Sequence, residues 1–405
     1  HPHRIRRAAE RGPADAVSGP ATRGVLIAGG GTAGHVLPGL AIAEALVERG
    51  VVTDRSGVHL VGSRRGIEVE LVPGSGFDLT VLPGRGIQRR LTPANLVAAG
   101  GLALAFLQAL VLVARRRPDV VLSLGGYASV PCSLAAAVLR IPLVVAEQNA
   151  VPGAANRLAG RFARACAVSF PDTALPRSTV TGNPIRGAIR TVAEARRGDG
   201  EGAAVRRAAR QALGINEQPF VVVFGGSLGA RRINRAVARL VEDWTGGPVV
   251  IEHVVGARGW KDDRERAGAP APEVDYRPVE YEADMPTVLS AADLVVCRAG
   301  ATSVAELSAL GVPSILVPLP GAPGDHQTAN ARHLEQAGGA RLVPDDEFDG
   351  ARLEAELAEL LADREMLAAM ADGALSAGMP DAADRVVEVI AGLLDGDTGA
   401  KGPAV

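Results

Sequence analysis

One local pattern constrains this chain more than any other, and it occurs twice. Val25–Ala28 is a short apolar run that opens onto Gly29-Gly30-Gly31-Thr32-Ala33-Gly34. An apolar-periodic stretch, Leu40–Arg49, follows and stops at Gly50. Phe220–Phe224 opens in the same way onto Gly225-Gly226-Ser227-Leu228-Gly229-Ala230, with a helical stretch from about Ile233 to Val241. Strand, glycine turn, helix is the opening of a βαβ unit. Apolar runs at Val58–Val61, Val120–Leu124 and Ile141–Ala146 follow the first turn; Val249–Val254, Leu294–Cys297 and Ser314–Val317 follow the second. Alternating strands and helices predict α/β architecture with two doubly wound parallel sheets, whose functional loops lie at the carboxyl ends of the strands. Residues 191–204, polar and rich in Gly and Ala, read as a linker or loop. Residues 351–371 and 380–394 read as closing helices.

Composition removes several function classes. With 47% hydrophobic and 22% charged residues over 405 positions, a wholly disordered chain is excluded. Aromatics at 3% argue against recognition by stacked bases. Cys132, Cys166 and Cys297 are widely spaced, so neither a disulfide framework nor a zinc pattern is present, which fits a reducing cytosol. Residues 1–22 show no signal-peptide core and read as a disordered leader; the tail 396–405 reads the same way. Leu96–Ala114 carries no charge and is followed by Arg115-Arg116-Arg117. Its glycines and alanines favour a buried or interfacial helix over a membrane span. Residues 1–190 hold 22 Lys and Arg against 11 Asp and Glu, the remainder 21 against 34. A basic half beside an acidic one suits an anionic partner for the first, and Arg85, Arg89, Arg90 and Arg115–Arg117 suit anionic lipid.

The first turn matches G-x-G-x-x-G at Gly29, Gly31 and Gly34, a backbone cradle for phosphate at a helix N-terminus. The second strand ends in Ser63-Arg64-Arg65 rather than an acid, which would suit a 2′-phosphate, so an NADP oxidoreductase is the rival reading. Against it, His35 sits in the first helical turn, as a general base or a partner of a bound anion. The second turn places Ser227 for a phosphate oxygen. Arg298–Glu306 is the most specific stretch: Gly300 and Thr302 open a helix, and Glu306 is placed either to accept two ribose hydroxyls or to cap Thr302 or Ser303.

Gly30–Gly39, Gly125-Gly126-Tyr127, Glu147-Gln148-Asn149, Gly182–Arg186, Gly225–Ala230, Cys297–Gly300 and Asp325–Ala331 occur in that order. This series closely resembles the MurG family of bacterial peptidoglycan glycosyltransferases, which make lipid II from lipid I, over roughly residues 23–395. The resemblance implies the GT-B fold, two Rossmann-like domains facing a cleft. Residues 23–186 would form the acceptor and membrane side, 187–375 the UDP-GlcNAc domain, and 376–395 a helix crossing back. The implied reaction is inverting transfer of GlcNAc from UDP-GlcNAc to the 4-hydroxyl of MurNAc in undecaprenyl-diphosphate-MurNAc-pentapeptide. Ser227 would then meet the diphosphate. Ala301, Thr302, Ser303, Val304, Ala305 and Glu306 would line the uridine, with Glu306 on the ribose. His326 and Gln327 would hold the sugar, His326 standing where many relatives have glutamine. Thr32, Ala33, Gly34, Asn149 and Arg186 would reach in from the cleft, and Ala33 replaces a common family glycine. His35 is the expected catalytic base. No cofactor, metal or nucleic acid is implied. The expected location is peripheral, on the cytoplasmic face of the bacterial membrane, against its anionic surface. Two other readings are a sugar-nucleotide-binding protein without turnover and a GT-B transferase with another acceptor.

Overall fold

The computed structural model describes residues 23–64, 66–83, 93–197, 201–226, 229–260 and 268–396. The expected leader, most of the expected tail, Ser227, Arg65, Arg85, Arg89 and Arg90 lie outside the described residues. The first sheet comprises β1 (Val25–Gly29), β2 (Val58–Ser63), β3 (Asp78–Leu82), β4 (Val120–Gly125), β5 (Leu143–Glu147), β6 (Ala165–Val168) and β7 (Ser178–Val180). Its order is β3-β2-β1-β4-β5-β6-β7. The second comprises β8 (Phe220–Phe224), β9 (Val249–Val254), β10 (Val274–Val279), β11 (Leu294–Cys297), β12 (Ser314–Leu316) and β13 (Ala340–Leu342), in the order β10-β9-β8-β11-β12-β13. All pairings are parallel. Strand order reverses beside β1 in one sheet and beside β8 in the other, so each glycine turn leaves its sheet at a topological switch point.

Each sheet is covered on both faces, because alternate side chains along a strand point opposite ways. Ile27 and Leu122 join Ile42 and Leu46 on one side of the first sheet; Leu26 and Val121 join Ala105, Ala109 and Val113 on the other. Phe220, Val222 and Val250 pack with Leu307 and Leu310, while Val221, Val223 and Ile251 pack with Ile233 and Leu240. The last helix, Ala382–Gly396, returns to the first domain: Ala383, Val386, Val387 and Ile390 enter the same core as Ile42 and Leu46.

Two readings need correction. Stretch 191–204 is not a loop: helices Gly187–Arg197 and Glu201–Ala212 occupy most of it. Of their apolar residues Ile189, Ala193 and Ala209 are buried, and Arg206 and Arg210 both bind Asp293, so Ala and Arg serve here largely as helix formers. The stretch 351–371 is two helices, Gly350–Ala362 and Arg364–Ala377, because Asp363 leaves helical geometry and accepts Met366 N–H as an N-cap. Leu96–Ala114 lies in the helix Pro93–Arg116, with Ala105, Ala109 and Val113 against the sheet. Among the described residues no helix is long and apolar enough to cross a membrane.

Candidate functional site

The first glycine turn is shaped by two demands that only glycine meets. Gly31 has φ +94°, and Gly126, at φ +80°, lies so close to the Gly30 carbonyl that any Cβ there would collide with it. A buried carboxylate fixes the turn from below. Glu68 accepts Gly31 N–H at 2.9 Å through Oε2, and Ser63 N–H at 2.5 Å and Ser63 O–H at 3.0 Å through Oε1. The helix Ala33–Glu48 then starts, with Thr32 as N-cap. His35 lies in its first turn, its Nδ1 3.1 Å from Thr32 Oγ1 and its Nε2 against Gly125.

The loop after β5 is organised by a second buried carboxylate. Glu147 accepts Asn149 N–H at 3.0 Å, Gly153 N–H at 3.0 Å, Asn156 Nδ2 at 2.9 Å and Asn149 Nδ2 at 3.3 Å. Asn149 is thereby held at the cleft. Burial lowers the pKa of His35; the negative charges of Glu147 and Glu68 and the Gly30 backbone oppose this, and His326 adds to it. His35 is thus a neutral imidazole at neutral pH, with two carboxylates ready to favour its protonated form. His326 belongs to the other domain, so the second domain comes within electrostatic reach of His35.

On that second side, helix Ala301–Leu310 starts at Gly300, which caps it without a side-chain bond. Glu306 is therefore not a capping partner. Its carboxylate instead accepts both Nε and Nη2 of Arg186, each at 2.7 Å. The Thr302 hydroxyl oxygen is buried without a protein partner. Arg298 is structural: it donates to the carbonyls of Val317 and Pro318 and pairs with Asp345. His326 opens the helix His326–Gln336, Nδ1 being 2.9 Å from the Pro323 carbonyl. Gln327 accepts Leu319 N–H at 2.9 Å through Oε1. Asn330, fully buried, joins the two sides by bonding Ala150, Asn149 and Ala299.

At the junction of the domains the structure thus brings Asn149 to Asn330 on the helix that carries His326 and Gln327, Arg186 to Glu306 on the helix that carries Ala301–Ala305, and His35, beside Thr32, Ala33 and Gly34, within electrostatic reach of His326. Glu68 and Asn330 also organise it, and nothing local in the sequence marks Glu68. Among the described residues no three His, Cys, Asp or Glu side chains converge as a metal site.

The glycosyltransferase family 28 N-terminal domain matches residues 25–168, and the family 28 C-terminal domain matches residues 220–386. The chain belongs to glycosyltransferase family 28. The UDP-N-acetylglucosamine–N-acetylmuramyl-(pentapeptide) pyrophosphoryl-undecaprenol N-acetylglucosamine transferase of Desulforudis audaxviator is 40% identical over 380 residues, covering 90% of this chain and 97% of that protein. The transferase of the same name from Alkalilimnicola ehrlichii is 43% identical over 373 residues, covering 91% and 98%. The crystal structure of MurG from Acinetobacter baumannii superposes with a TM-score of 0.71 at 27% identity, covering 91% of this chain and 99% of that one. A UDP-GlcNAc 2-epimerase from Neisseria meningitidis shares the fold at 15% identity, with a TM-score of 0.61 over 91% and 99%.

Family membership establishes the GT-B fold and removes the oxidoreductase reading. The structure supplies a physical reason as well. Both donors of Ser63, its backbone N–H and its hydroxyl, are taken by Glu68, and a buried carboxylate at that strand end repels a 2′-phosphate.

Proposed function

We propose that this enzyme moves GlcNAc from UDP-GlcNAc to the 4-hydroxyl of MurNAc in undecaprenyl-diphosphate-MurNAc-pentapeptide, turning lipid I into lipid II with inversion. The observation that carries this reading is one cleft lined by His35, Asn149, Arg186, Glu306 and His326, in a chain that matches transferases of that name over nine-tenths of its length.

The chemistry follows from the groups at hand. A sugar hydroxyl is a weak nucleophile, so a base must take its proton as the new C–O bond forms. In this reading the neutral imidazole of His35, held by Thr32 Oγ1 at 3.1 Å from Nδ1, takes that proton. The acceptor oxygen attacks the anomeric carbon from the face opposite the diphosphate, and the bond to UDP breaks. Glu147 and Glu68 stabilise the imidazolium that results. The charge that develops on UDP is met by the backbone of Gly225 and Gly226, the N-terminus of helix Ala301–Leu310 and the positive charge of Arg186, with Ser227, outside the described residues, expected on the diphosphate. Glu306 takes the ribose, Ala301–Ala305 line the uridine, and His326 and Gln327 hold the GlcNAc hydroxyls. Asn149 and Thr32–Gly34 face the reacting sugars.

The membrane-facing surface in this reading is the outer face of helix Pro93–Arg116. Leu104, Leu107 and Val111 are 49, 57 and 50% exposed at helical spacing, and Arg115 and Arg116 end the helix. An apolar stripe closed by cations suits the cytoplasmic surface of an anionic bilayer, where the polyprenyl acceptor resides.

The reading is tested by transfer of labelled GlcNAc from UDP-GlcNAc to a lipid I analogue, with and without EDTA. Transfer that survives EDTA is expected. Binding of UDP-GlcNAc without transfer by folded enzyme would point to another acceptor or to a non-catalytic role.

A further inference from the structure

Ile251 of β9 pairs with Tyr276 of β10, so His253, two residues on, shares a sheet face with Tyr276. The helix Arg231–Asp243 covers that face with Ile233, Val237 and Leu240. Three polar side chains lie in a row within this apolar layer. The Tyr276 hydroxyl is 2.9 Å from His253 Nδ1, and His253 Nε2 is 3.1 Å from Asn234 Oδ1. Asn234 Nδ2 donates in turn to the Val255 carbonyl at 3.0 Å. His253 and Asn234 are each only 1% exposed.

The polarity of the row is set from one end. A carbonyl oxygen can only accept, so Asn234 turns its NH2 group to Val255 and its oxygen to His253. His253 Nε2 therefore carries the hydrogen. Burial pushes the imidazole pKa down to about 4, so the ring is neutral. Nδ1 then holds a lone pair, and the Tyr276 O–H donates to it.

The same end of the row touches the second glycine turn. Gly229 has φ +78°, and a Cβ on it would collide with the Val255 carbonyl oxygen. Gly229 N–H donates back to the Gly226 carbonyl at 2.8 Å. The Val255 carbonyl thus limits where Gly229, and through it Gly226, can lie. Three buried polar groups are a costly filling for a layer that leucine would fill, because each must keep its partner. What they add is direction at the Val255 carbonyl.

Resting on the transferase reading, in which this turn meets the donor's diphosphate, we propose that His253 is a positioning residue for the transfer. Through Asn234 and the Val255 carbonyl it holds the second glycine turn in the shape that receives the diphosphate. Tyr276 keeps His253 in the tautomer that this requires.

The test measures the affinities of the full chain for UDP and for uridine; their ratio reports the diphosphate. His253→Leu removes the middle of the row and leaves the Asn234 amide free to turn. UDP affinity is expected to fall about tenfold or more, the scale of lost hydrogen bonds to a charged group, with uridine affinity within about threefold of wild type. His253→Gln offers one donor and one acceptor in place of the ring nitrogens, and it should keep the ratio within about twofold of wild type. Tyr276→Phe keeps the packing and releases the tautomer, and it should lower the ratio by at least about threefold. If His253→Leu does not fold, Tyr276→Phe decides, and a wild-type ratio there overturns the inference. Equal losses of UDP and uridine affinity in folded His253→Leu, the mark of a general loosening of the domain, also overturn it. So does a ratio in His253→Gln as low as that in His253→Leu. These results leave the transferase reading standing, whereas failure of folded wild type to bind UDP removes both.

Discussion

Asn330 reaches across the cleft to Asn149: its Nδ2 donates to Asn149 Oδ1 at 3.2 Å, while its Oδ1 accepts Ala150 N–H at 2.9 Å. A third bond, to the Ala299 carbonyl at 3.1 Å, anchors the same amide within the second domain. One buried side chain thus sets the distance between the loop after β5 and the helix that carries His326 and Gln327. Asn330→Ala removes all three bonds and leaves Ala150 N–H and Ala299 C=O without them, at about 1–3 kcal/mol for each group that stays buried. The expected outcome is a wider cleft, seen as a larger radius of gyration in solution scattering. A fall in kcat/KM of roughly ten- to a hundredfold should accompany it. Unchanged scattering and activity would show that the contact does not govern closure.

Glu68 governs the first glycine turn in the same manner. Glu68→Gln keeps the shape and places an NH2 group against an N–H donor of Ser63 or Gly31, so one bond becomes a donor–donor contact. A loss of about 1–3 kcal/mol in stability is expected, with reduced kcat/KM. A thermal midpoint equal to wild type would contradict this account of the turn.

The pH dependence follows from His35. The base must be neutral to act, and burial lowers its pKa below the ordinary 6.5. Activity should therefore be full at neutral pH and fall as pH drops through a value under 6.5. Glu147 raises that pKa, so Glu147→Gln should move the acid limb of kcat/KM to lower pH, while also slowing the reaction because it loosens Asn149. A limb that moves upward, or stays in place, would remove Glu147 from the electrostatics of His35.

Much of this architecture is legible in the sequence. The two glycine turns are visible because backbone approach and positive φ leave no other residue type. The fold class follows from the strands that flank them. The short strands β3, β6, β7, β10 and β13 escape a sequence reading because they are three to six residues long, and several carry polar or exposed side chains. Helices Gly187–Arg197 and Glu201–Ala212 escape it because only Ile189, Ala193 and Ala209 are buried and alanine, arginine and glutamate make up most of the rest. In the site, residue types are readable but partnerships are not. Glu306 reads equally well as a ribose ligand or a cap until Arg186 is seen beside it, and Glu68 finds its partners 5 and 37 residues away.

The exposed stripe of helix Pro93–Arg116 gives a separate expectation. Leu107→Asp, opposite the buried Ala105 and Ala109, should leave folding intact and weaken binding to vesicles containing anionic lipid by about tenfold or more. Transfer to a short-chain, water-soluble acceptor analogue should be unaffected. Equal vesicle binding by wild type and variant would move the membrane surface elsewhere on the molecule.

Sugar transfer in the cleft depends on His35 as base. Its most direct test is single-turnover transfer of labelled GlcNAc to a lipid I analogue by wild type and His35→Ala, with UDP-GlcNAc affinity measured for both. Transfer by wild type, a loss of more than about a hundredfold in the variant, and sugar-nucleotide affinity within about threefold are the predicted results. Transfer by His35→Ala at a near wild-type rate would contradict the claim.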